Sequence, residues 1–191
     1  MKITHLLTLG ALLCAGGALA NGDVVGDPAQ GKLLAGQCRT CHGIDGFAKI
    51  PIAPHIGGEP ASYLAAQLTA FRDGQRMHEM MTVVAKSLSD AQINDLAAWY
   101  SAQEVTATLS ADPANAPEAC TGCHGADGIG LAPDVPNLAA ESNIYIDTQL
   151  KAFRSGKRMH AVMSMIASDL SDDDIRAAAD WYGAIGLTIA P

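Results

Sequence analysis

The sequence predicts an all-α protein built as two similar domains in tandem, and three observations carry this. The stretch from Cys38 to Tyr100 recurs from Cys120 to Tyr182 at a constant offset of 82 with no gap, and about 28 of the 63 aligned positions are identical. Within each copy, apolar residues recur at helical spacing between Gly- and Pro-rich stretches. Each copy also opens on the same short cluster, Cys-x-x-Cys-His.

The first 20 residues read as a signal peptide rather than as part of the fold. Lys2 is followed by the mostly apolar run from Ile3 to Leu13, and Ala18-Leu19-Ala20 supplies small residues for cleavage before Asn21. The run is too short to cross a bilayer as a mature helix. Cys14 sits inside it, and bulky Leu13 before it argues against lipid attachment.

Residues 21–103 form the expected first domain. Pro28 to Arg39 reads as a helix leading into the cysteine cluster, and Gly43 to Gly58 as a loop. Ala61 to Asp73 reads as a helix with Leu64, Leu68 and Phe71 on one face and Gly74 as its stop. Ser89 to Gln103 follows as a helix, with Ser89 and Gln92 as a capping box and Ile93, Leu96, Ala97 and Tyr100 as the buried stripe.

Residues 104–117 read as a linker of polar residues and two prolines, and residues 118–191 as the second domain. The latter repeats the stripes as Ile146, Leu150 and Phe153, then Ile175, Ala178, Ala179 and Tyr182. Upstream the register slips: Asp27-Pro28-Ala29 matches Asp112-Pro113-Ala114 at an offset of 85. The second domain therefore lacks three residues of its first helix, and Pro117 stands in the remainder.

Cys38-Arg39-Thr40-Cys41-His42 and Cys120-Thr121-Gly122-Cys123-His124 carry the chemistry. Cys-x-x-Cys-His is the attachment pattern of c-type haem. Two thiols two residues apart reach the two vinyl groups on one porphyrin edge, and the next residue presents its imidazole to the iron. His42 and His124 are thus candidate proximal ligands. A shared four-thiolate zinc site, a redox dithiol or two disulfides would use the same cysteines. None of these needs a His after both pairs, nor the Gly-x-Asp-Gly that follows each. The expected cofactors are two covalently attached haem c groups, on Cys38 and Cys41 and on Cys120 and Cys123. A domain of about 85 residues buries too little apolar surface alone, and a central haem would complete its core.

A sixth ligand used by both domains should survive the shift of 82. Met80, Met165 and His55 do not, since Val162, Val83 and Asn137 replace them, which leaves both methionines to core packing. Three pairs do: Met77 with Met159, His78 with His160, and Met81 with Met163.

Those motifs carry a resemblance. The two Cys-x-x-Cys-His clusters, the segments Tyr63 to Arg76 and Tyr145 to Arg158, and the Leu-Ser-Asp helix starts at Leu88 and Leu170 resemble the dihaem cytochromes c4 over nearly the whole mature chain. The resemblance implies two tandem class I cytochrome c domains, each wrapped around one covalent haem, with the haems facing each other near the domain boundary. It implies Met81 and Met163 as axial ligands, seven residues before the Leu of Leu-Ser-Asp. Met77 and Met159 are then packing residues in the core or at the haem edge, and His78 and His160 polar residues near that edge. It also implies that Pro54 and Pro136 offer their carbonyls to the proximal histidines, the alternative being that these prolines only stiffen a loop. Arg72, Arg76, Arg154 and Arg158 are either partners of the haem propionates or solvated helix ends; Tyr63, Tyr145, Trp99 and Trp181 are packing residues.

Net charge is −8, with residues 104–191 near −7 and residues 21–103 near −2. Nucleic acid is an unsuitable partner for such a surface. An acidic surface can steer a basic protein partner, or serve solubility alone. No nucleophile–base arrangement and no phosphate loop is legible. The expected function is a periplasmic electron carrier, not an enzyme. It would take electrons from a quinol-oxidising complex or a dehydrogenase and pass them to a terminal oxidase. It should not be integral to a membrane, though it could sit against one. The alternative is a dedicated electron-accepting subunit of a periplasmic dehydrogenase that oxidises sulfur compounds or an alcohol. A dihaem peroxidase or thiosulfate dehydrogenase would need an open or unusually ligated haem.

Overall fold

The computed structural model describes residues 24–190; the expected signal peptide 1–20 and Cys14 lie outside the described residues. Asp27 caps the first helix by accepting from the Ala29 amide at 2.8 Å. The expected helix 28–39 is broken into three pieces: α1 (Pro28–Leu34), a 3-10 turn (Ala35–Gln37) and α2 (Arg39–His42). The chain tightens where Ala35, fully buried, enters the core. The rest of the domain is α3 (Ala61–Arg72), α4 (Met81–Ala85) and α5 (Asp90–Ser101). Helix α4 was not expected; its five residues are too few to show a period. Helix α1 crosses α5 so closely that a Cβ on Gly31 would lie 2.0 Å from the Asp95 carbonyl oxygen.

The second domain repeats this with α6 (Glu118–His124), α7 (Asn143–Arg154), α8 (Ala161–Ser168) and α9 (Asp172–Gly183). The shortened entry leaves only a 3-10 turn, Pro113–Asn115, in place of α1, and Pro117 stands at the N-cap of α6, where no amide donor is needed. Without a full first helix, α9 borders a groove of about 980 Å³ lined by Leu109, Pro117, Ala178 and Trp181. Each domain has its own core. Ile93, Leu96, Ala97 and Tyr100 form the first with Leu64 and Phe71, and Ile175, Ala178, Ala179 and Tyr182 form the second with Ile146 and Leu150. The Ser89–Gln92 capping box is present, and Ser171 with Asp174 makes its counterpart.

The 104–117 segment is not only a linker. Glu104–Thr108 forms β1, antiparallel to β2 (Gly186–Ala190) after α9. The strands are equivalent at the offset of 82, and Thr106 pairs with Thr188, its own counterpart. A two-fold pseudo-symmetry axis therefore passes through this pair and relates the domains. Alternating residues such as Val105 and Ala107 are half-buried while their neighbours are exposed, a period-2 signal too short to stand out among the polar residues around it.

Candidate functional site

Each Cys-x-x-Cys-His cluster closes a short helix that a glycine of positive φ terminates. Gly43 (φ 76°) and Gly125 (φ 68°) take the C-cap positions, and a Cβ on Gly43 would stand 2.4 Å from the Phe47 carbonyl oxygen. The last helix pins this turn. Trp99 Nε1 donates to the Ile44 carbonyl at 2.8 Å and Trp181 Nε1 to that of Ala126 at 2.9 Å. Tyr100 and Tyr182 hydroxyls donate to Gly43 and Gly125 carbonyls at 3.4 and 3.1 Å. The tryptophans are thus anchors, not only packing residues.

His42 and His124 are each 7% exposed. Nδ1 of His42 lies 2.9 Å from the Pro54 carbonyl oxygen, and Nδ1 of His124 lies 2.9 Å from that of Pro136. A carbonyl only accepts, so Nδ1 carries the proton and Nε2 keeps a lone pair for a ligand. Burial lowers both imidazole pKa values, against the upward pull of these carbonyls, so both rings are neutral near pH 7. The contacts expected of Pro54 and Pro136 are present in both domains.

Cys38, Cys41, Cys120 and Cys123 are unpaired thiols, and Cys38 and Cys120 pack against the two cores. Among the described residues no three His, Cys, Asp or Glu side chains converge as a metal site, so a zinc shared between the pairs has no geometry here.

The three surviving pairs separate by burial. Met81 and Met163 pack against the cores. Met77 and Met159 are 69% and 76% exposed, and Met80 and Met165 are exposed too. None of these four is a core residue, which overturns the core packing expected of Met80 and Met165 and leaves the haem edge as the place for Met77 and Met159. His160 is the N-cap of α8: its Nδ1 accepts from the Met163 amide at 3.2 Å, and its own amide donates to Ser164 Oγ at 3.0 Å. His78 does the same, accepting from the Met81 amide at 3.3 Å and donating to Thr82 Oγ1 at 2.9 Å. These histidines position the methionine segments.

The arginines divide as well. Arg72 bonds Asp90 at 2.6 Å and the Leu88 carbonyl, and Arg154 bonds Asp172 at 2.6 Å and the Leu170 carbonyl, tying α3 to α5 and α7 to α9. Arg76 and Arg158 face the domain boundary. Gln67 Oε1 accepts from Arg76 at 2.7 Å and from Arg158 at 3.0 Å; Gln149 Oε1 accepts from each at 2.8 Å. The Tyr63 and Tyr145 hydroxyls complete the cluster, at 3.1 Å from Arg158 and 3.4 Å from Arg76. Neither a solvated helix end nor simple packing describes these groups; they cross-link the domains.

Sequence reasoning missed this boundary. His55 Nε2 lies 3.1 Å from the Ala140 carbonyl oxygen, and Asn137 Nδ2 donates to the Gly58 carbonyl at 2.9 Å. Glu59 and Glu141 are 4% and 3% exposed there. One signal was available: Glu59, Tyr63, Gln67 and Arg76 are polar residues that survive the shift of 82 unchanged.

The residues fit a covalent haem. In each domain, paired thiols, a neutral imidazole with a free Nε2 and an inward thioether belong to one segment set. The protein core alone is thin: among the described residues only Ile93, Leu96, Ile175 and Tyr182 are large side chains below 2% exposure.

A family model described as cytochrome c oxidase, cbb3-type, subunit III matches residues 28–99 and 114–181. Cytochrome c4 of Pseudomonas aeruginosa is 33% identical over 95% of this chain and 96% of its own length. The thiosulfate dehydrogenase electron acceptor of Thiomonas intermedia is 32% identical over 98% of this chain and 92% of its own length. The crystal structure of reduced recombinant cytochrome c4 from Pseudomonas stutzeri superposes with a TM-score of 0.74 at 30% identity, covering 85% of this chain and 100% of that one. A thiosulfate dehydrogenase from Marichromatium purpuratum gives 0.72 at 30% identity over 83% of this chain and 40% of that one.

Proposed function

The chain belongs to the dihaem cytochrome c4 family and is an electron-transfer cytochrome carrying covalent haem c, and from that premise we propose its site residues and its place between redox partners. Cys38 and Cys41 would hold one haem, with His42 and Met81 as the residues that would ligate its iron. Cys120 and Cys123 would hold the other, with His124 and Met163. Bound there, each haem supplies a one-electron iron couple. The carbonyls of Pro54 and Pro136 fix the imidazole orientation and keep the proton on Nδ1. A thioether from Met81 or Met163 would favour the ferrous state relative to a second imidazole and leave less room for small ligands. The observation that carries the reading is the duplication of this set, imidazole on a proline carbonyl with an inward methionine, in both domains.

The protein acts in the periplasm after its leader is cleaved. It takes electrons from a quinol-oxidising complex or a dehydrogenase and delivers them to a terminal oxidase. No helix among the described residues is long and apolar enough to cross a membrane. A second reading, a dedicated acceptor for one dehydrogenase, draws on the relatives from Thiomonas intermedia and Stutzerimonas stutzeri, both named thiosulfate dehydrogenase electron acceptors.

Native electrophoresis of periplasm and washed membranes, stained for haem and read by mass spectrometry, separates the two. A band alone near the monomer mass supports the diffusible carrier. A band with a second polypeptide supports the dedicated subunit. A redox titration that takes fewer than two electrons per chain would sink both.

A further inference from the structure

Glu59 and Glu141 are equivalent residues, nearly fully buried where the domains meet. Neither takes part in an ion pair among the described residues. Glu59 Oε2 accepts from the Asn137 backbone amide at 2.9 Å. That amide belongs to the same peptide unit as the Pro136 carbonyl, which receives Nδ1 of His124 at 2.9 Å. Glu141 stands at the equivalent place, where the His55 amide favours its charged form without a hydrogen bond as close as that of Glu59, and the carbonyl of that peptide unit, Pro54, receives Nδ1 of His42. Oε2 of Glu141 is buried without a partner. Glu59 is therefore one bonded peptide unit away from the proximal histidine of the other domain, and Glu141 lies beside the equivalent peptide unit.

We propose that Glu59 and Glu141 tune the two haems crosswise by exchanging a proton as the electron comes and goes, Glu59 acting on the haem of His124 and Glu141 on the haem of His42. This rests on the ligand assignment above. An ionised carboxylate pulls on the amide N–H and polarises its peptide unit, and the carbonyl becomes a stronger acceptor. The Nδ1–H bond tightens, the imidazole becomes a better donor, and ferric iron is favoured. A protonated carboxyl relaxes the chain and favours ferrous iron. Coupling is reciprocal, so electron entry raises the proton affinity of the carboxylate. In the balanced step, one electron from the donor protein enters the iron and one proton passes from water to the carboxylate. Both leave on oxidation.

The surroundings allow this titration. Glu59 faces Glu141 and the Tyr63 hydroxyl, with Tyr145, Arg76 and Arg158 beyond that phenol. Glu141 faces Glu59 and the backbone amide of His55, whose imidazole in turn has His42 and then Lys49 as titratable neighbours. Burial pushes Glu59 up to about 8, against the Asn137 amide. Burial first, then the charge of Glu59, raises Glu141. Glu59 therefore changes charge within reach of neutral pH, and Glu141, raised by the same burial, titrates with it as a coupled pair.

The test is spectroelectrochemistry of the haem-loaded protein across roughly pH 5 to 9, with each wave assigned by whether Met81→Ala or Met163→Ala moves it. Wild type is expected to show both potentials falling as pH rises. Glu59→Gln keeps an acceptor for the Asn137 amide and should flatten the slope of the His124 haem while only shifting the pH range of the other; Glu141→Gln should do the reverse. Slopes unchanged in both variants overturn the proposal. The visible spectrum reports on ligation separately, so a failed ligand assignment is distinguishable from a failed coupling. Should a Gln variant not retain haem, redox-difference infrared spectroscopy of wild type decides. A carboxyl band sensitive to deuterium must appear on reduction, and its absence overturns the proposal.

Discussion

His55 and Asn137 stand at equivalent places in the two domains and make the same two bonds with different chemistry. His55 Nδ1 accepts from the Ala48 amide at 3.0 Å and Nε2 faces the Ala140 carbonyl at 3.1 Å. Asn137 Oδ1 accepts from the Gly130 amide at 2.9 Å and Nδ2 donates to the Gly58 carbonyl at 2.9 Å. His55→Asn should therefore keep the domain contact. His55→Ala leaves an amide and a carbonyl unpaired and should cost about 1–3 kcal/mol by chemical denaturation. Burial lowers the His55 pKa below its unfolded value. Its contribution is thus complete above about pH 6.5 and is lost as pH falls through the folded pKa. His55→Asn should remove that acid-side loss.

Met81→Ala or Met163→Ala should each lower one potential, by on the order of 0.1 V or more, and open one haem to carbon monoxide. The assignment fails if either variant keeps both potentials and its sulfur-to-iron absorption band.

His160→Ala removes the N-cap of α8 and should cost about 1 kcal/mol, whereas His160→Asn restores an accepting group. The readout is the temperature at which the methionine band of that haem bleaches. Equal bleaching in wild type, Ala and Asn variants would show that the cap does not hold the ligand.

Arg158 bonds Gln149 within its domain and Gln67 and Tyr63 across the boundary. Arg158→Ala should weaken domain docking by about 1–3 kcal/mol and split a single thermal transition into two. Arg72→Ala breaks exposed bonds within one domain and should leave docking intact. Calorimetry compares the two; a single unsplit peak for Arg158→Ala would count against the cross-link.

Haem-free protein should be largely unfolded, since among the described residues each domain has only two large side chains below 2% exposure. Circular dichroism of the apoprotein checks this, and a cooperative native-like melt would contradict it.

The duplicated clusters, the helical stripes and the capping boxes were legible because each is set within a few residues of chain. Period and cap chemistry are local, so Ile93, Leu96 and Tyr100 were found buried where their spacing put them. Helices α4 and α8 were missed because five and eight residues beside a loop show too little period. The strands were missed because β1 is stabilised by β2, which lies 82 residues away.

By itself, the sequence determined that the chain is a duplicated helical protein with a thiol pair and an imidazole in each half, since that chemistry needs only residue type and spacing. Only the tertiary structure decided that Arg76 and Arg158 face each other's domains, that Thr106 and Thr188 mark the dyad, and that buried Glu59 and Glu141 lie behind the histidine-bearing peptides. The strand pairing and the carboxyl contact run through backbone groups common to nearly every residue, and the arginine contacts through side chains whose partners lie in the other domain. No pattern of side chains shows which of them will meet until the two domains are packed together.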